Sequence, residues 1–129
     1  MTYYFFSINP IFRKLMTNYE LYKTLDDIQK EDNLRTQIDY QNLVTPIDEQ
    51  IAKDISRRFR YSINFTQDNN CYHYDSNYLE KNFHLFLKNT YLYYQGNHLN
   101  THLIKILHKY NLFVCNFKNK DYFWTGEEC

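Results

Sequence analysis

His98 and His102 stand four residues apart in a stretch of helical spacing, so both imidazoles would project from one face, the geometry of half a zinc site. A complete site needs further ligands and partners that orient them. His108 falls elsewhere on the same predicted helix, and His73 and His84 fall on predicted strands. Solvated or capping histidines are the plainer reading, and no bound metal is expected. Other chemistry is thinner. Gly96 and Gly126 are the only glycines, too few for a loop that cradles phosphate. The serines and cysteines have no His–Asp pattern near them that would activate a nucleophile. Asp26-Asp27 and Glu127-Glu128 are adjacent acids, and helix neighbours do not face each other. No catalytic residue, cofactor or small-molecule substrate is indicated. Arg57-Arg58-Phe59-Arg60 is the one basic cluster. It could contact phosphate, but favourable charge at a helix C-terminus explains it more simply.

The composition is close to ordinary globular usage. The 129 residues fit one domain, residues 1–126, with a frayed tail at 127–129. Fifteen basic residues balance fifteen acidic ones, so direct contact with nucleic acid is not expected. Single strands stacked on exposed tyrosines would be the form such binding took, with steep salt dependence. Fourteen Tyr, ten Phe and one Trp make 19% of the chain. Each ring can bury about 150–250 Å², so rings must supply much of the core. Cys71, Cys115 and Cys129 form an odd, scattered set and not a disulfide framework. The run Tyr3-Tyr4-Phe5-Phe6 is too short to span a bilayer and lacks a positive leader. A soluble cytoplasmic protein with reduced thiols is expected, in which the sequon Asn64-Phe65-Thr66 is idle.

These residues must be carried by a recognisable series of elements. Residues 2–8 read as a buried strand, and Asn9-Pro10 as a cap and first position of a helix over 10–23. Residues 26–33 read as a loop or helix start, and 34–43 as a short helix. Thr45-Pro46 opens an amphipathic helix over 46–60, with Ile47, Ile51, Ile55 and Phe59 as its stripe. Strand patterns follow at 61–66, 71–74, 83–87 and 90–95, then a helix over 97–110 and strands at 112–117 and 122–125. The fold class expected is α+β, a mainly antiparallel sheet of about five strands with three or four helices packed on it.

The first predicted helix carries more apolar surface than one sheet can cover. Its apolar side chains spread over roughly 200° of circumference, against somewhat more than about 100° for a helix packed on one side. If Ile11, Leu15 and Tyr22 face the core, then Phe12, Met16 and Tyr19 remain for another element or a partner. Met and aromatics are favoured at interfaces, although periodicity alone leans toward a fully buried helix.

Three stretches resemble the sporulation inhibitor of replication family, SirA, of Gram-positive bacteria. They are Tyr3-Tyr4-Phe5-Phe6 followed by Phe12 and a Tyr/Leu-rich helix, then Gln37-Ile38-Asp39-Tyr40 with Pro46 beyond, then Tyr91–Trp124 ending in Asp121-Tyr122-Phe123-Trp124. The sequence departs from the family at Met16, where an aromatic is expected, and at Phe123, where glycine is usual. The resemblance implies a non-enzymatic protein that binds the N-terminal domain of the initiator DnaA and restrains chromosome replication. It places Phe12, Met16 and Gln37 in the interface, and helical adjacency adds Tyr19 and Gln41. An adaptor or phage-type inhibitor with another protein target is the alternative.

Overall fold

The computed structural model describes residues 1–77 and 81–126; the expected tail at 127–129 lies outside them. The first strand, β1 (Thr2–Ile8), is the centre of the fold. Its unbroken apolar run suits a strand buried on both faces. Phe5 points into one core, while Phe6 and Ile8 point into another. Around it are β2 (Val44–Thr45), β3 (Phe65–Asp68), β4 (Cys71–Tyr74), β5 (Phe83–Leu87), β6 (Tyr91–Gly96), β7 (Phe113–Asn116) and β8 (Asp121–Trp124). The order is β3-β4-β5-β6-β1-β7-β8, with β2 beside the end of β1, and every pairing is antiparallel.

Five helices cover the two faces: α1 (Pro10–Leu15), α2 (Asn18–Lys30), α3 (Leu34–Leu43), α4 (Gln50–Phe59) and α5 (Thr101–Leu107). The stripe Ile51, Ile55 and Phe59 of α4 and Leu103 and Leu107 of α5 pack on Phe5, Phe83, Leu85, Leu92, Tyr94 and Val114. On the other face, Leu21, Tyr22 and Leu25 of α2 and Leu43 of α3 pack on Phe6, Ile8, Phe113, Cys115 and Trp124. Rings fill both cores, for example Phe83 stacked on Tyr94 at 5.6 Å and Phe113 beside Trp124 at 4.9 Å.

The α+β class and large antiparallel sheet agree with the sequence, but the element count is corrected. Among the described residues there are eight strands and five helices, where about five strands and three or four helices were expected. The strand-like segments all join one sheet, and β2 is a further short strand. Tertiary contacts moved the boundaries. The Thr45 hydroxyl lies 2.7 Å from that of Ser7 in the β1–β2 pair, so it does not cap a helix, and α4 starts at Gln50. The predicted 97–110 helix begins instead at Thr101. Asn100 accepts from the N–H groups of His102 and Leu103 at 3.0 and 3.1 Å, and the buried Tyr94 hydroxyl donates to the His98 carbonyl at 2.6 Å. The predicted strand at 61–66 yields to a turn that leaves Tyr61 and Ile63 in solvent, and pairing begins at Phe65, whose ring stacks on Phe59.

Candidate functional site

The expected helix over 10–23 is two helices, and this decides which side chains face outward. Asn9 caps α1, accepting from the Ile11 N–H at 3.2 Å, and Pro10 takes the first helical position. Six residues later Met16 turns extended, at φ −120° and ψ 142°. Thr17 then opens α2 with a capping box: its hydroxyl accepts from the Glu20 N–H, and the Glu20 carboxylate accepts from the Thr17 N–H, both at 3.2 Å. The break resets the helical phase, so a wheel drawn through it spreads two separate faces into one broad arc.

The inward and outward assignments of α1 are therefore reversed. Ile11 and Leu15, assigned above to the core, are 63% and 72% exposed. Phe12 and Met16 are half-buried against the core around Phe6 and Leu21 and seat the helix. Tyr19, in the first turn of α2, is exposed, as expected for an interface residue. Of residues 26–33, expected as a loop or a helix start, 26–30 form the last turns of α2, while Leu21, Tyr22 and Leu25 are buried. Trp124 holds this unit to the sheet. Its indole N–H donates to Asn18 at 2.9 Å, and the Arg13 guanidinium lies 4.5 Å above its ring.

Helix α3 begins with a second box, in which Asn33 and Thr36 cap each other reciprocally. Tyr40 turns inward, its hydroxyl 2.8 Å from that of Thr90 and its ring edge-on to Phe6. The opposite side presents Leu34 and Ile38, 73% and 49% exposed, flanked by the exposed Gln37 and Gln41. The Gln37 amide donates to Asp32 at 3.2 Å, which leaves its carbonyl oxygen to accept from a partner. The start of α1 is tied to the end of α3. The Asn9 backbone N–H donates to the Leu43 carbonyl at 2.8 Å, and its side chain donates to the Asn42 carbonyl at 3.2 Å. Five of the eight most exposed large hydrophobics among the described residues thus lie on α1, α2 and α3: Ile11, Leu15, Tyr19, Leu34 and Ile38. Sequence reasoning missed four of them. The Thr17-x-x-Glu20 spacing was the available signal, because it marks a helix start in the middle of the expected helix.

The histidines are arranged differently from the spacing argument. His98 precedes α5 and does not share a helix face with His102. His73 and His84 are directly opposite on β4 and β5, with their Nδ1 atoms in contact. Among the described residues, no group of three or more His, Cys, Asp or Glu is placed to hold a metal ion. Burial pushes the Cys115 thiol far above its usual range, so it stays protonated between α2 and the sheet. No described helix is long and apolar enough to cross a membrane. Two comparisons with known proteins complete the description: no protein-family model matches the chain, and no curated protein matches it.

Proposed function

We propose that this protein is a non-enzymatic inhibitor of replication initiation that binds the N-terminal domain of DnaA through α1, α2 and α3 and blocks DnaA assembly. The observation that carries a partner-binding surface is the concentration of exposed apolar side chains there, Ile11, Leu15, Tyr19, Leu34 and Ile38. A monomer gains nothing by leaving such side chains in water, whereas a partner can bury them. The choice of DnaA rests on the family resemblance of Gln37-Ile38-Asp39-Tyr40 and its flanking stretches. In this reading Tyr19, Gln37 and Gln41 contact the partner directly, and Phe12 and Met16 support Ile11 and Leu15 from beneath.

Calorimetric titration with the isolated N-terminal domain of DnaA tests both parts. Leu15→Glu and Ile38→Glu, at exposed positions, should retain the fold and lose binding. Central anchors contribute about 2 kcal/mol or more each, so truncation to Ala should weaken affinity about thirtyfold. If the wild-type protein fails to bind, DnaA is the wrong partner and the surface serves another protein. If it binds and the ridge variants bind equally well, the surface is wrong.

A further inference from the structure

The other helical layer, α4 and α5, carries a patch of one sign. Arg57 and Arg58 lie in the last turn of α4, Arg60 follows as its C-cap, and Lys105 projects from α5; all four are exposed. Arg58 bridges the two helices, with a guanidinium nitrogen 2.8 Å from His102 Nδ1. Arginine can only donate, so that ring nitrogen accepts and carries no proton. The His102 pKa is lowered accordingly, first by burial and then by the cations of Arg58, Lys105 and Lys81. The acid nearest in sequence, Asp54, is already engaged by Lys109 at 2.8 Å, by Gln50 at 3.1 Å and by the Tyr110 hydroxyl. Among the described residues, none of Arg57, Arg58, Arg60 and Lys105 is in an ion pair.

The helix C-terminus explains Arg57 and Arg58. Lys105 likewise lies in the last turn of α5, but helix termini do not explain why the cations of both helices converge on His102, nor the side chains beside the patch. Tyr61 is 85% exposed with the Arg60 guanidinium 4.6 Å from its ring centre, and Ile63 is 96% exposed. A ring steadied by a cation and otherwise open to water is a stacking platform. Three of the four cations are arginines, whose planar fork matches phosphate oxygens. The neutral net charge that argued against nucleic acid averages over the whole chain, while binding is governed by where the charges lie.

We propose that the end of α4, with Lys105 of α5, binds a single-stranded nucleic acid, the four cations on its phosphates and Tyr61 against a base. This surface packs on the core around Phe5, opposite the α1–α3 layer, so the proposal stands apart from the reading of that interface.

The test is fluorescence anisotropy of the full chain with labelled oligothymidine and oligouridine of about twenty nucleotides, titrated from about 50 to 200 mM salt. The first probe reports DNA and the second RNA, and binding of either meets the proposal. With four phosphate contacts at about 0.7 each, log affinity should fall against log salt with a slope near −3. Tyr61→Ala should weaken binding about tenfold with the slope unchanged. Arg57→Ala and Lys105→Gln should each flatten the slope by about 0.7. Circular dichroism confirms that the variants fold, and Lys105→Gln serves if Arg57→Ala disturbs α4. No binding to either probe at the lowest salt would overturn the proposal, as would variants that match the wild type. Binding to phosphatidylserine vesicles in place of the oligonucleotides would overturn it in favour of a membrane surface.

Discussion

Thr17→Ala separates two accounts of the N-terminal region by the sign of its effect. In the structure, Thr17 is the N-cap of α2, and its hydroxyl accepts from the Glu20 N–H at 3.2 Å. Alanine would leave that donor to water, and only the reverse bond, from the Thr17 N–H to the Glu20 carboxylate, would survive. Replacing a Thr cap by Ala costs about 0.5–2 kcal/mol, typically about 1. Thr17 is itself exposed, so the upper half of that range is not expected. In a continuous helix over 10–23, Thr17 would be an exposed interior residue, and Ala would stabilise it by up to about 0.7 kcal/mol through helix propensity. The predicted loss of about 1 kcal/mol corresponds to a fall in Tm of about 3–5 °C for a domain of this size. Urea unfolding followed by circular dichroism measures it, with Thr17→Ser as the control that keeps an oxygen acceptor and should stay close to wild type. A neutral or stabilised Thr17→Ala would refute the break at Met16–Thr17. The outward facing of Ile11 and Leu15 depends on that break, so the proposed interface would lose its α1 component.

Two further predictions follow from burial and charge. Leu15→Ala and Leu34→Ala, at positions 72% and 73% exposed, should change stability by no more than about 0.5 kcal/mol, while Leu21→Ala, at 1% exposure, should cost about 2–5 kcal/mol; urea midpoints of the three variants decide it. The hydrogen bonds from Lys109, then Tyr110 and Gln50, hold the Asp54 carboxyl well below the usual carboxylate range. Because the folded pKa is depressed, the stabilisation it provides is complete above the unfolded value of about 4 and fades as pH falls below that. Wild type should therefore exceed Asp54→Asn in stability at neutral pH by more than it does near pH 2, and a pH-independent gap in urea unfolding would contradict the linkage.

Much of the architecture was legible because the signals were local. The hydrophobic run of β1, the Asn9-Pro10 helix start, the four-residue stripe Ile51, Ile55 and Phe59, and the β5–β6 hairpin all follow from spacing within a few residues. The misplaced boundaries lie where a specific hydrogen bond, in one case from a distant strand, overrides a local preference. Thr45 is recruited by Ser7, thirty-eight residues away, and the start of α5 is delayed by the Tyr94 hydroxyl and the Asn100 cap. Ser7 is not visible in a window read around Thr45, whereas Tyr94 and Asn100 lie within a few residues of the start of α5.

The facing of α1 was misread for a different reason, since its deciding signal was local. A helical wheel assumes unbroken phase, and the extended Met16 and capping Thr17 interrupt it. With the break in place, Phe12 and Met16 become the seat of α1, and Ile11 and Leu15 become its exposed ridge. The charge balance likewise sums what the fold separates. Asp48 and Glu49 lie at the start of α4, and Arg57, Arg58 and Arg60 lie at its end, so a net charge of zero coexists with an arginine patch beside an exposed tyrosine. In both cases residue identities were in plain view, and the missing quantity was direction. Phase sets it for the apolar ridge, and helix polarity together with the approach of α5 sets it for the cations.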